Sequence, residues 1–529
     1  MIYKKQITAT IVLFFIIGLF FRIDFRFKDT VECCSDDYDY YSHSYTIAID
    51  NDFDYTNQLT LDHPFIFTNN ENGKIAPVGF PGSGMMAAPF LFVGNLIDNN
   101  FNTNSGNELL NYKLLLYSLS PIFYFFLSFI LIYKTLLKIR LDVNKYKLLL
   151  IISGSGITYF AFERFSMTHV YEMFTISLLI WSCVSFYLEE KNFGAVLIPL
   201  TLVLSFYVRM SNYYVFFIPL IIKKIVKERL KTSRKISRNI FFNGSTLISL
   251  SIYLLLSIKI YGKIIFNPQE VYGTNISINS AIGSNQNIFE FIRISFFDFI
   301  KILFGNEFGI FWVSPIIFIG AFLSLINLKK FSGSLNFFVI ICFLQNFAII
   351  LLWKSTAASY GFRYLYSLVP LCVLILYLYD AQKKNHALLN LVFYMSIFSN
   401  LSILFFETTE QTQLSMVEII NSFGALRNYS EPEYVIGVLK SFGEINSYLI
   451  IFTTSLVGVV FFKLLLLVFD MSTLISFLTN LGLPTENKDF MLYLENLEVI
   501  SVNKVMFILL FLFLFCYYIV FSMDKNRID

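Results

Sequence analysis

Charge is what this sequence has least of. Lysine, arginine, aspartate and glutamate together make up 15% of the 529 residues, where soluble domains carry about a quarter. With 56% hydrophobic residues and a mean hydropathy of +0.63, that shortage excludes a soluble globular protein, because no polar stretch is long enough to cover a core of its own. Cysteine is sparse, and no CxxC pair or metal-finger spacing occurs. Cys183, Cys342, Cys372 and Cys516 lie inside apolar runs, where cysteine packs as a small hydrophobe. Cys33 and Cys34 are adjacent and bridge each other only with strain. The lone His43 and His63 lack ligand spacing. Repeats and low-complexity linkers are missing, and so is any nucleic-acid signature: lysines and arginines gather in short loops beside apolar runs, where they set membrane topology.

Apolar runs fill most of what remains. After Lys4 and Lys5, one extends from Ile7 to about Ile23 with no small-residue cleavage site behind it, which predicts a retained first helix with a cytoplasmic N-terminus. Others follow at about 112–133, 148–162, 170–188, 193–208, 211–222, 239–260, 309–327, 336–352, 365–379, 387–406, 446–469 and 503–522. The expectation is an all-α polytopic transmembrane helix bundle of about 11–13 spans, its external loops carrying short interfacial helices. Residues 24–83 hold 11 acidic and 3 basic residues, which places them outside. The loops around Lys134–Lys147 and Lys223–Arg238 are strongly basic and fall on the cytoplasmic side, the second also suiting contact with anionic lipid. Met85–Ile97 is too short to cross a core that needs roughly 20 helical residues, so it is expected at the outer interface or as a re-entrant piece. Segments 261–308 and 407–445 thread outside and 470–502 inside, although the last carries more acids than lysines.

Polar groups gather just after the first helix, in Ser35-Asp36-Asp37-Tyr38-Asp39-Tyr40-Tyr41, followed by His43, Asp50, Asp52 and Asp54. One reading is a solvated acidic loop. The other is a reactive surface: paired carboxylates can hold a divalent cation through hard oxygens, or one can act as general base toward a hydroxyl. The interleaved tyrosines suit a helix lying against headgroups.

That segment resembles the first external loop of the GT-C membrane glycosyltransferases, the class of the protein O-mannosyltransferases and the aminoarabinose transferase. Further fragments are similar in order. They are Lys74-Ile75-Ala76-Pro77-Val78-Gly79-Phe80-Pro81-Gly82-Ser83-Gly84 leading to Ala88-Pro89-Phe90; Arg209-Met210-Ser211-Asn212 with Pro219-Leu220, where Met210 replaces the usual proline; Tyr261-Gly262, Asn267-Pro268 and Tyr272-Gly273; Gly305-Asn306-Glu307-Phe308-Gly309 with Ser314-Pro315; and Trp353 followed by Tyr360-Gly361-Phe362-Arg363-Tyr364 and Pro370. The resemblance covers residues 1–380, with a first external loop at 24–111, and leaves 381–529 as a variable C-terminal membrane region. It implies transfer of a sugar from a polyprenyl-phosphate donor to an acceptor hydroxyl on a glycan, lipid or protein, at the outer face of a bacterial inner membrane. It implies Asp36 as the base, with Asp37 assisting or binding a divalent metal ion (Mg or Mn), and Arg363 and Arg209 as phosphate contacts.

Other polar singles carry two readings each. Arg209 and Arg363 are equally helix-end anchors, since an unpaired charge at mid-membrane costs roughly 2.5–3.5 kcal/mol. Glu163 and His169, with Arg164 between them, form either a snorkelling cap or, with Tyr40, part of an external cavity. Lys354 has the weaker case. The competing class is a non-enzymatic lipid or polysaccharide transporter or flippase. Its charges belong in mid-span along a path, whereas here they crowd the outer loops, and no pair of matching broken helices marks two inverted halves. A polysaccharide polymerase or ligase ranks third, because loop 407–445 has Arg427 but no histidine.

Overall fold

The computed structural model describes every residue except 1, 22–30, 32–34, 60–65, 70–71, 102–110, 190–191, 231–239, 273–295, 298, 306–308, 329–332, 353–361, 384–385, 414–438, 440–441, 444, 482–484, 486–490, 492–493, 496, 499 and 524–529. Cys33, Cys34, His63, Glu307, Trp353, Lys354 and Arg427 lie outside the described residues.

Helices carry the chain. In order they are α1 (Ile2–Phe20), α2 (Ser35–Tyr45), α3 (Gly82–Phe101), α4 (Tyr112–Lys138), α5 (Lys145–Ser153), α6 (Ile157–Phe162), α7 (His169–Glu189), α8 (Asn192–Val208), α9 (Ile218–Leu230) and α10 (Ile240–Tyr261). Beyond these lie Pro315–Ile326, Gly333–Leu352, Val369–Lys383, Ala387–Gln413, Ile445–Thr454, Leu456–Leu465, Met471–Asn480 and Val502–Tyr517. Among the described residues eight helices are long and apolar enough to cross a membrane, and Asn192–Val208, Pro315–Ile326 and Leu456–Leu465 are shorter apolar helices. The molecule is an all-α polytopic membrane helix bundle. A hairpin in the first loop is an addition to the expected architecture: β1 (Ile66–Asn69) pairs antiparallel with β2 (Lys74–Pro77), Ile66 opposite Pro77.

The bundle centre is α4, α7 and Val369–Lys383, whose window of span length is more than four-fifths buried in each case. Their side chains belong to one continuous apolar core, to which the last helix contributes Ile508, Leu512 and Cys516. A second, smaller core seats the hairpin: Tyr55, Phe67 and Ala76 meet Tyr207, Tyr253 and Tyr261 at the ends of α8 and α10.

Several expected spans are interrupted, 309–327 among them, which breaks at Ser314 between Ile310–Val313 and Pro315–Ile326. The run 148–162 breaks at Gly156, whose φ of +76° is left-handed and whose added Cβ would lie 2.2 Å from the Tyr366 hydroxyl; only glycine fits there. The run 211–222 becomes a 3₁₀ turn at Tyr213–Phe217 followed by α9. The run 446–469 splits at Ser455, which caps Leu456–Leu465 through its Oγ. Phe442 and Tyr448 pack on Phe405, and the Leu456 amide donates to the Phe21 carbonyl at 2.8 Å. This segment therefore lies at the end of the bundle where α1 finishes.

That break bears on the threading expected for 470–502. The last helix begins with Lys504 over the Tyr112 ring, 5.5 Å away, where α4 starts. It ends with the Val520 carbonyl accepting from Lys145 at 3.0 Å, just past where α4 stops. The start of the last helix thus sits with the start of α4, and its end with the basic loops. At the other end the two basic loops meet: Arg229 Nε donates to the Ile139 carbonyl at 2.7 Å, and Lys138 pairs with Glu189 at 2.6 Å.

Candidate functional site

The acidic segment is a helix, and its first turn is where a helix favours negative charge. It is not a solvated loop. Asp37, Asp39, Ser42, His43 and Ser44 are buried, because α2 packs against α3 and the loop before it. The Gly79 amide donates to Asp39 Oδ2 at 2.9 Å, His43 Nε2 donates to the Gly79 carbonyl at 2.7 Å, and Tyr55 OH donates to His43 Nδ1 at 2.7 Å. Ser44 Oγ donates to the Gly84 carbonyl at 2.9 Å. Between these anchors Gly82 lets the loop reach the end of α8: a Cβ there would lie 2.3 Å from the Val208 nitrogen. The tyrosine face turns inward too, Tyr41 meeting Tyr117 edge-on at 5.2 Å.

Three stretches far apart in sequence, 164–172, 209–212 and 363–364, gather at the start of α2. From the turn between α6 and α7, Arg164 donates through Nε and Nη2 to Asp37 Oδ2, at 3.1 and 2.8 Å. Ser166 Oγ donates to the Asp37 carbonyl at 2.7 Å and accepts from Tyr117 OH at 2.7 Å. In the first turn of α7, Glu172 accepts from His169 Nδ1 at 3.1 Å, from Arg209 Nη1 at 3.0 Å and from Asn212 Nδ2 at 2.5 Å. From the turn that opens Val369–Lys383, Arg363 Nη2 donates to Asp36 Oδ2 at 3.0 Å. Tyr364 lies between two guanidiniums, 4.2 Å from Arg209 and 5.6 Å from Arg363.

Three guanidinium–carboxylate pairs thus share one cluster, and they differ in exposure. The Asp37 and Glu172 side chains are 2% and 1% exposed, while Asp36 is 43% exposed and its partner Arg363 13%. Desolvation raises the Asp36 carboxyl, but Arg363, Arg164 and Arg209 outweigh it and hold the group below its ordinary value. Asp36 is therefore an ionised carboxylate in reach of a ligand, flanked by donors suited to an anion. This arrangement can accept a hydrogen bond from a hydroxyl and place a phosphate beside it.

No protein-family model matches the chain, and no curated protein matches it. Among solved structures it is similar to the archaeal oligosaccharyltransferase AglB of Archaeoglobus fulgidus, solved in complex with an inhibitory peptide and a dolichol-phosphate, with 12% identity and a TM-score of 0.34. The match covers 83% of this chain, which spans 56% of the length of that one. So loose a match carries no argument about the site, which rests on its own geometry.

Of the residues singled out from sequence, the structure brings Asp36, Asp37, Arg209, Arg363 and His169 into this cluster. Tyr40, one turn beyond Asp36, lies against Gly79. Glu163 is buried at the end of α6 next to Arg164. His169 and Arg164 are buried as well, so the short loop between α6 and α7 is not a snorkelling cap. Sequence reasoning passed over Glu172. An acid one helical turn after a histidine, within an apolar run, is the signal that could have found it. Asn212 and Tyr364 stood in quoted fragments without a role. Asp37, the candidate metal ligand, is committed to Arg164. Among the described residues no group of three His, Cys, Asp or Glu could hold a metal ion, while Asp37 keeps its buried Oδ1 without a hydrogen-bond partner among them.

Proposed function

We propose that this protein is a membrane glycosyltransferase that moves a sugar from a polyprenyl-phosphate carrier to an acceptor hydroxyl. The supporting observation is the half-exposed Asp36 paired at 3.0 Å with Arg363, 327 residues away in sequence, at one end of a membrane bundle. In this reading Asp36 accepts the proton of the acceptor hydroxyl as its oxygen attacks the anomeric carbon. The bond from that carbon to the phosphate oxygen breaks, and the electron pair leaves with the lipid phosphate, whose charge Arg363 stabilises with Arg209 nearby. The site lies wholly within 1–380, the part proposed as the catalytic module, while 381–529 is proposed as the variable region packed around it. The site faces outward from the bacterial inner membrane, and the acceptor is a glycan, lipid or protein.

A transporter would need charge along a path. In the eight described span-like helices every charged residue lies within five residues of an end, which favours surface chemistry. The proposal is tested by lipid mass spectrometry of cells lacking the protein. A polyprenyl-phosphate-linked sugar should accumulate, disappear on complementation with wild type, and persist with Asp36→Asn, whose turnover should fall about 10²–10⁴-fold. No accumulation, or full complementation by Asp36→Asn, would overturn the assignment.

A further inference from the structure

Building on the proposed transfer reaction, we infer that Arg363 is an exchangeable guanidinium: an incoming lipid phosphate displaces Asp36 from it, so donor binding is the event that frees the carboxylate for the acceptor hydroxyl. Acceptor capture therefore follows donor capture.

Among the described residues the three ion pairs of the cluster match each arginine with a carboxylate, so an anionic ligand competes with a carboxylate for an arginine. Two of those carboxylates are held. Asp37 takes two guanidinium donors from Arg164, and Glu172 takes donors from Arg209, Asn212 and His169. Both are almost fully buried, where loss of the partner strands a charge away from water. Asp36 is different. Its side chain is 43% exposed, and water can replace Arg363 around it. Arg363 also keeps its place once Asp36 lets go, because its guanidinium lies over the Tyr364 ring, 5.6 Å from the centroid, and within 3.9 Å of Met167 Sδ. Its planar fork matches two phosphate oxygens. Without a phosphate the base is masked by its own counter-ion, which keeps the site from engaging hydroxyls when no donor is bound.

Farnesyl phosphate, titrated into the full-length protein in detergent with farnesol as control, reads the competition directly. Asp36→Asn should bind farnesyl phosphate roughly two- to fivefold more tightly, the range expected when a half-exposed ion pair no longer competes. Arg363→Gln should weaken binding at least about tenfold. In the Arg363→Gln background the tightening by Asp36→Asn should vanish, since the two changes act through one contact. If Arg363→Gln does not fold, Arg363→Lys serves, and there the tightening should shrink. Tightening that persists undiminished without Arg363 would mean a general charge effect, and weaker binding by Asp36→Asn would mean that Asp36 helps hold the phosphate; either overturns the exchange while leaving the transferase reading intact. A wild-type protein that does not distinguish farnesyl phosphate from farnesol overturns both.

Discussion

Asp39 and His43, one helical turn apart, grip the same residue, Gly79, from its amide and its carbonyl. Burial pushes the Asp39 carboxyl from 3.8 up to about 8. Between those values the folded chain holds a proton that the unfolded chain releases, so this contribution is full at low pH and is lost as pH rises through 8. Burial pulls His43 from 6.5 down to about 4. Below 6.5 the unfolded chain takes a proton that the folded one refuses, so its contribution is full above 6.5 and lost as pH falls toward 4. Of these two groups only Asp39 titrates between 6.5 and 8, and its contribution makes stability fall as pH rises. Asn at position 39 keeps the amide contact without the charge, so Asp39→Asn should flatten that fall. Apparent melting temperatures of both proteins in detergent at pH 6.5 and pH 8 check it; equal slopes would remove Asp39 as the cause.

At the scale of elements, the first turn of α7 holds the site together. Glu172 ties three side chains in place: His169 on its own helix, Arg209 at the end of α8 and Asn212 beyond it. Removing a buried ion-pair partner costs about 3–5 kcal/mol, whereas a half-exposed pair is worth about 0.2–1 kcal/mol. Glu172→Ala should therefore lower the melting temperature sharply and Asp36→Ala hardly at all, a contrast that thermal melts of the two variants read directly. Comparable losses would mean that Asp36 is as structural as Glu172. This asymmetry was invisible in the sequence, where Asp36 and Asp37 are simply neighbours. Long helices such as α4 and α7 were legible, because apolar length alone predicts them. The breaks at Gly156 and Ser455 were not, because a hydropathy average ignores one left-handed glycine or one capping serine. The acidic cluster was legible as a place but not as a buried helix. Its partner Arg363 was legible only through a local fragment, since nothing local pairs residues 327 apart.

For the molecule as a whole, the site and the basic loops stand at opposite ends of α7. His169 and Glu172 open that helix in the cluster, and Glu189 closes it against Lys138. Its 21 residues rise about 30 Å, the thickness of a bilayer core. Lysine and arginine favour the cytoplasmic face, so the proposed outward-facing site predicts that the cluster lies outside, and the contacts of the last helix with the start of α4 predict the same for Ser472. Cysteine accessibility decides this. Asn72, Lys227 and Ser472 are exposed, and each can be changed to Cys in a background with Cys33→Ser and Cys34→Ser; the four described cysteines are buried. An impermeant maleimide added to intact cells or right-side-out vesicles should label Asn72→Cys and Ser472→Cys, and should reach Lys227→Cys only after permeabilisation. Ser472→Cys labelling together with Lys227→Cys would restore the threading that hydropathy alone suggests, with 446–469 as a full crossing. Ser472→Cys labelling with Asn72→Cys would show that one capped serine in an apolar run changes which face of the membrane receives the following 30-odd residues.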